Sequence, residues 1–363
     1  MTLRKPPLRD VHDAAGATFT EFGGWDMPVE FDSIKAEHRA VREEAGIFDV
    51  SHMGQITVSG PEAARLMQKL TSNDVTELGR GDSHYSMILD EEGTILDDTV
   101  VYRLPEGDDA EYLFVPNAGH DEQMYERWTD HRDEWDLDAT VENVTDEYAM
   151  YAVQGPDAPD LVSDAADDSV IDLSKFEGRY AEFAGADCWT ARTGYTGEDG
   201  FELLVPVESA EAVWDLLECQ PCGLGSRDTL RMEMGFLLSG QDFDAKDDPR
   251  NPYEAGVGWT VKLDTEFVGR DALEQASEEG TDDEFVGIKL VDRGVPRHGY
   301  DVTDTDDRVI GEVTSGTMSP TLGEPIALGY VPSDFADSGT VVRVVVRGQS
   351  KKAKIANTPF LND

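Results

Sequence analysis

The 363-residue sequence has few cysteines, few lysines and no long apolar run. Its three cysteines, Cys188, Cys219 and Cys222, are odd in number and too few for a disulfide framework. Cys219-Gln-Pro-Cys222 has the spacing of a redox pair or of half a zinc site. No second such pair exists, and the motif follows a helical stretch, Ala210–Leu217, without a thioredoxin-like context, so these read as incidental thiols. None of the seven histidines is spaced for a metal: His38 lacks a partner four residues on, and His52 stands alone in Val50-Ser-His-Met-Gly54. H-x-x-x-H, G-x-S-x-G and a Walker A loop are all missing, which removes zinc, serine-hydrolase and P-loop readings. No segment approaches the ~18 apolar residues of a membrane span. Met1-Thr-Leu-Arg-Lys-Pro-Pro7 has no apolar run either, so it does not read as a secretory signal.

Positive charge is scarce too. Lys and Arg number 30, only 10 of them Lys, against 76 Asp and Glu, for a net charge of −46. Phosphate backbones and anionic membrane surfaces would repel such a chain, so no nucleic acid and no membrane is expected as a partner. The carboxylates are spread over the whole length. A uniformly acidic, Lys-poor surface suits a cytoplasm with molar salt, where the Debye length is about 3 Å and self-repulsion is screened. This reads as a halophile's protein, and its activity is expected to need high KCl. Only 39% of residues are hydrophobic, yet strand and helix periodicities persist. The length fits two or three domains at roughly 100–200 residues each.

The spacing predicts helices over Ser33–Ala45, Pro61–Leu70, Asp121–Arg132, Ala210–Leu217 and Arg227–Leu238. Strands are expected at Gln55–Ser59, Tyr85–Leu89, Ile95–Arg103, Tyr112–Val115, Tyr148–Val153, Asp187–Thr193 and Phe201–Pro206. Gly60-Pro-Glu-Ala63 and Gly155-Pro-Asp-Ala158 each follow an apolar strand, which hints at a duplicated unit. Gln275–Glu284 is acidic and weakly patterned and marks a candidate boundary. Beyond it, short strands (Phe285–Leu290, Val309–Val313, Ala327–Val331, Val341–Val346) alternate with glycine turns and no helix, which suggests a small β-barrel.

Three constellations could carry chemistry. In Ile95-Leu-Asp97-Asp98-Thr-Val-Val-Tyr102 two carboxylates sit inside an apolar strand, so one faces the covered side and the other the open side. A carboxylate there is costly unless paired or used, as an acid/base group or a stabiliser of cations, although a turn or capping pair has the same pattern. In Arg192-Thr-Gly-Tyr195-Thr-Gly-Glu-Asp-Gly-Phe-Glu202 three glycines allow close backbone approach. Tyr195 would flank the loop, and Glu202 could accept parallel N–H bonds from an amino-bearing ring such as a pterin. A plain hairpin turning at Asp199-Gly200 is the structural alternative. In Cys222-Gly-Leu-Gly-Ser226-Arg227-Asp228 a glycine turn enters a helix with Ser226 as its expected cap and no clear strand before it. The third glycine of a dinucleotide fingerprint is missing. Arg227 opposes the helix dipole, so it either meets an anion or pairs with Asp228 or Glu233. Asn117 could anchor at a strand end or simply turn the chain.

Together, Phe22-Gly-Gly-Trp25-Asp-Met-Pro28, Gly46-Ile-Phe-Asp-Val-Ser-His-Met-Gly54, Ile95–Asp98, Arg192–Glu202, Gly223–Asp228 and Thr314-Ser-Gly-Thr-Met-Ser-Pro-Thr-Leu-Gly323 occur in an order that resembles the aminomethyltransferase (T-protein) family of the glycine cleavage system. The resemblance runs from about residue 6 to Pro359-Phe360. It implies an α+β fold: a three-domain cloverleaf with a duplicated folate-binding α/β unit and a C-terminal small β-barrel. By that likeness residues 1–48 with 141–275 form one folate-binding domain, 49–140 an inserted second, and 281–363 the barrel.

The activity implied is transfer of the methylene of an aminomethyl group, held on the lipoyl arm of H-protein, to tetrahydrofolate or a related reduced pterin. Ammonia is released and 5,10-methylenetetrahydrofolate forms. Glycine decarboxylase and dihydrolipoyl dehydrogenase would be the other partners, and no metal or nicotinamide is implied. Asp98 resembles the family's catalytic carboxylate, Glu202 its pterin-reading carboxylate, Tyr195 a pocket residue and Arg227 a folate-contacting arginine. Tyr85, Tyr102 and Asn117 correspond to further cofactor-binding positions. His84 stands where an apolar residue is usual. The alternatives are a folate-dependent demethylase and a non-catalytic folate-binding factor of iron–sulfur protein maturation. The latter group carries a K-G-C-[YF]-x-G-Q motif, and here Glu266 replaces its cysteine in Asp264–Arg270.

Overall fold

A computed structural model describes residues 2–166 and 169–361. The chain divides into two compact units. One comprises Met1–Ile88, Asp97–Arg227 and Thr265–Phe267, the other Leu89–Leu96, Asp228–Asp264 and Val268–Asp363.

The first unit carries two sheets and a two-stranded ribbon. The six-stranded sheet runs in the order Gly178–Phe183, Ala186–Ala191, Gly200–Pro206, Tyr148–Gln154, Gly46–Asp49 and Gln220–Cys222. All its pairs are antiparallel except the last. Apolar residues alternate along it: Tyr151 and Val153 meet Phe201, Leu203 and Val205 in one buried cluster with Ile47 and Phe183. The five-stranded sheet is ordered Ser83–Leu89, Ile95–Arg103, Tyr112–Val115, Ile56–Ser59 and Thr140–Asn143. Helix Asp121–Glu134 covers it. Trp128 stacks on Phe114 at 4.2 Å between ring centroids and donates its Nε1–H toward Met67 Sδ of helix Ala63–Leu70 at 3.2 Å.

The two Gly-Pro-acid-Ala segments adopt one local geometry. Gly60 and Gly155 both have positive φ (104° and 134°), and each accepts a backbone bond from the alanine three residues on, at 3.1 and 3.0 Å. Helices Ala63–Leu70 and Ala158–Ala165 follow.

The second unit holds a closed six-stranded barrel: Asp283–Leu290, Pro325–Pro332, Val309–Met318, Tyr300–Thr303, Val341–Val346 and Gln349–Ala356. Its interior is lined by Ile288, Val302, Val313, Val342, Val344, Ala353 and Ile355. Two of these strands, Tyr300–Thr303 and Gln349–Ala356, escaped the sequence reading because one is only four residues long and the other is rich in lysine and serine.

The structure corrects three local expectations. Gln275–Glu284 is no unpatterned joint, because helix Arg270–Glu279 occupies its first half with Leu273 as its buried residue, and a barrel strand starts at Asp283. A strand does precede Gly223: Gln220–Cys222 lies parallel to Gly46–Phe48, too short and too proline-bearing to register as a pattern. Ser226 does not cap the helix that follows, which begins at Leu224. The buried Glu37 carboxylate does that work instead: its Oε2 accepts the Gly223 N–H at 2.9 Å and the Ser226 hydroxyl at 2.9 Å.

Candidate functional site

Strand Ile95–Arg103 presents Asp98 and Tyr102 on one face and Asp97, Thr99 and Val101 on the other, as the two-residue period requires. Asp97 is fully buried and Asp98 half-buried, so the pair divides between the covered and open sides. Asp97 is satisfied by the loop that follows strand Tyr112–Val115. Asn117 donates its backbone N–H to Asp97 Oδ2 at 3.1 Å and its side-chain Nδ2 to Asp97 Oδ1 at 2.7 Å. The same Nδ2 reaches Asp98 Oδ1 at 2.6 Å, and the Tyr85 hydroxyl of the neighbouring strand donates to Asp98 Oδ2. Burial and, next, the charge of Asp97 push the Asp98 carboxyl up to about 6, against the pull of the Tyr85 and Asn117 bonds. A carboxyl at that value exchanges protons near neutral pH.

The loop carrying Asn117 is held by the Phe22-Gly-Gly-Trp25 turn. A side chain at Gly23 would collide with Ala118, and one at Gly119 with the Gly23 backbone, so the two turns fit only as glycines, both at positive φ.

The glycine-rich segment is not a tight hairpin turning at Asp199-Gly200. Ala191 already faces Glu202, and residues 192–199 form a longer loop. Arg192 braces it with paired bonds to both Asp199 oxygens, and the Gln154 side chain ties it internally, accepting from Thr196 Oγ1 at 2.9 Å and donating to the Thr193 carbonyl at 3.0 Å. Thr193 in turn donates to Glu202 Oε2 at 2.6 Å, and its hydroxyl lies 3.4 Å from that of Tyr102. Burial raises Glu202, opposed by the Thr193 bond and the Arg227 charge. Glu202 and Asp98 are therefore linked across the two sheets through Thr193, Tyr102 and the strand that carries both Tyr102 and Asp98.

Asp228 pairs with Arg231, and Glu233 accepts from Ser319 and Thr321. The Arg227 guanidinium lies over the Tyr195 ring, 4.2 Å from the centroid. Every candidate from the sequence, Tyr85, Asp98, Tyr102, Asn117, Tyr195, Glu202 and Arg227, lies in the first unit.

Sequence reasoning passed over Thr193, His52 and His120. His52 is 1% exposed, with neither ring nitrogen hydrogen-bonded within the protein, and meets Phe22 edge-on. Burial and the nearby Arg227 charge push its imidazole down to about 3, so it is neutral. The turn beneath it is rigid: Asp49 Oδ1 accepts the Ser51 N–H and hydroxyl at 3.0 and 2.6 Å, and His12 Nε2 lies 2.8 Å from Asp49 Oδ2. No spacing in the chain pairs either histidine with its neighbours, because those neighbours come from other elements. Among the described residues no cluster of His, Cys, Asp and Glu could hold a metal, and no helix is long and apolar enough to cross a membrane. Burial pushes Cys219 up to about 12 and Cys222 well up, which leaves both thiols unreactive.

Residues 8–265 match the GCVT N-terminal domain, and residues 284–362 the glycine cleavage T-protein C-terminal barrel domain. The chain is 66% identical, over the full length of both, to a protein of Haloarcula marismortui named as a probable aminomethyltransferase. A protein of the same name from Halobacterium salinarum is 60% identical, again over the full length of both. The crystal structure of glycine cleavage system aminomethyltransferase T from Bartonella henselae superposes with a TM-score of 0.92 at 32% identity, covering 99% of this chain and 98% of that one.

Proposed function

Because the chain belongs to the glycine cleavage T-protein family of aminomethyltransferases, we propose that it moves the methylene of an aminomethyl group from the lipoyl sulfur of H-protein to tetrahydrofolate or a related reduced pterin. The carbon–sulfur and carbon–amine bonds break, and two carbon–nitrogen bonds form to the acceptor. Of the two N–H protons the acceptor gives up, one ends on sulfur and the other on the departing ammonia.

The observation that carries this reading is the Asp98 carboxyl, poised near 6 and held by Tyr85 and Asn117 on the face it shares with Tyr102. The acceptor supplies two nucleophilic nitrogens when bound; the remaining roles fall to this chain. Asp98 stabilises positive charge on nitrogen as the carbon–sulfur bond breaks, and takes up and returns a proton. Glu202 accepts from the acceptor's aminopyrimidinone edge through the oxygen that Thr193 leaves open. The half-buried Glu202 and the stacked Tyr195–Arg227 pair fit a flat ring with donors on one edge. Residues 1–48 with 141–275 and residues 49–140 are proposed as the two folate-binding domains.

Ammonia release from aminomethyl-lipoyl H-protein in molar KCl, with and without tetrahydrofolate, tests the assignment. Pterin-dependent release is expected. Pterin binding without release would favour a demethylase or a non-catalytic folate-binding factor on the same scaffold.

A further inference from the structure

Asp98 does not stand alone on its strand. Asn117 Nδ2 donates to Asp97 Oδ1 at 2.7 Å and to Asp98 Oδ1 at 2.6 Å, so one amide group joins the two carboxylates. The Asp98 backbone N–H also points at Asp97 Oδ1, at 3.0 Å. With the two carboxylates so joined, the charge of Asp97 raises the Asp98 carboxyl.

Behind Asp97 lies His120. Its Nδ1 is 3.1 Å from Asp97 Oδ2, a charge contact rather than an aligned hydrogen bond. The Asp97 side chain is fully buried, whereas that of His120 is 30% exposed. His120 thus joins the buried Asp97 to the solvent side of the loop.

Asp98 feels the charge of Asp97, its neighbour on the strand, and is bonded to the Tyr85 hydroxyl on the adjacent strand and to Asn117 on the loop after strand Tyr112–Val115, while Tyr195 of the glycine-rich loop acts on Tyr85. Asp121, next in the chain to His120, is paired with Arg4 at 2.8 Å. His120 itself is fixed by its backbone, which bonds to the Asn117 carbonyl at 3.0 Å, and by its place at the head of helix Asp121–Glu134. The loop that supplies Asn117 therefore supplies His120 as well.

We propose that His120 is a positioning residue that sets the protonation of Asp98 by acting through Asp97, an inference that rests on Asp98 being the catalytic carboxylate. When the imidazole is protonated it offsets the Asp97 charge, and Asp98 then gives up its proton more readily. When the imidazole is neutral, Asp97 repels a second negative charge and Asp98 holds its proton to higher pH. Imidazole is the side chain whose unperturbed charge change falls near neutral pH. Molar salt screens exposed pairs within about 3 Å, but a contact to a buried carboxylate is screened far less.

The test compares the pH dependence of kcat in molar KCl for the wild type, His120→Gln and His120→Lys. The Gln variant lacks the cation, so the acid limb moves to higher pH by roughly half a unit to one unit. The Lys variant keeps a fixed cation, so the limb moves back to the wild-type position or below it. KM is expected to stay constant, since neither variant alters the groups that bind the acceptor. A uniform fall in rate with unchanged limb positions would reduce His120 to a structural role and overturn the proposal, and so would equal shifts in the same direction for both variants.

A second readout does not depend on turnover. The Asp98 carboxyl carbon, identified in 13C spectra by its loss in Asp98→Asn, is titrated in the wild type and in His120→Gln. A higher midpoint in the variant supports the coupling even if the aminomethyl-transfer reading fails. Coincident midpoints sink the coupling even if that reading holds.

Discussion

The guanidinium carbon of Arg227 lies 4.2 Å from the centroid of the Tyr195 ring, in a contact between the first turn of a helix and a glycine-rich loop. An arginine at a helix start opposes the dipole, and the stacking on Tyr195 offsets that cost. Its charge also lowers the proton affinity of both Glu202 and His52. One cation thereby holds the loop in place and tunes two titratable groups of the site.

The stacking predicts a strict requirement for arginine. Lysine carries the charge but not the flat, delocalised group that lies on a ring. Arg227→Lys and Arg227→Ala are both expected to weaken reduced-pterin binding, by about tenfold and more respectively, with the Lys variant failing to restore affinity. Equilibrium binding in molar KCl measures this, and wild-type affinity in Arg227→Lys would refute it.

Asp98→Asn is expected to bind the acceptor and to release ammonia at least about 100-fold more slowly, the scale of lost proton transfer. Tyr85→Phe is the milder companion. The Tyr85 hydroxyl favours the ionised form of Asp98, so its removal raises the Asp98 carboxyl above about 6. The rate then falls off at higher pH than in the wild type as acid is added. A limb that stays in place or moves to lower pH would contradict this.

The net charge of −46 predicts dependence on salt. Self-repulsion is screened at molar KCl and unscreened in dilute buffer, so both the unfolding midpoint and the transfer rate are expected to fall on dialysis. Calorimetry and ammonia release across a KCl series measure the two separately. Full activity with native structure in dilute buffer would remove the argument.

Gly223→Ala should destabilise the first unit by about 1–3 kcal/mol, because the added carbon would overlap the Val29 carbonyl while Glu37 holds the Gly223 N–H. The denaturation midpoint in molar KCl reads this loss. A neutral result would mean that the turn before helix Leu224–Met234 moves freely.

Much of the architecture was legible because it depends on short-range periodicity. The strand Ile95–Arg103 runs over the residues expected of it, and the two-residue period by itself separated Asp97 from Asp98. The barrel was visible from four of its strands, and closing it needed Tyr300–Thr303 and Gln349–Ala356, whose residues carry little apolar signal. The helix at Leu224 was misread at its start because its cap comes from Glu37, 186 residues from Gly223 in the chain.

By itself the sequence determined the acidity, the absence of metal spacing, the α+β class with a terminal barrel, and the residue types of the candidate site. Tertiary structure alone decided which of those residues meet. Asn117 joins Asp97 to Asp98 across 20 and 19 positions, Thr193 ties Glu202 toward Tyr102, and His120 touches Asp97 because a loop crosses behind the strand. Local pattern reports which face a side chain occupies, since the backbone repeat sets that. Proton affinity depends on the charges and burial around a group, and these come from elements that only the fold brings within a few ångströms.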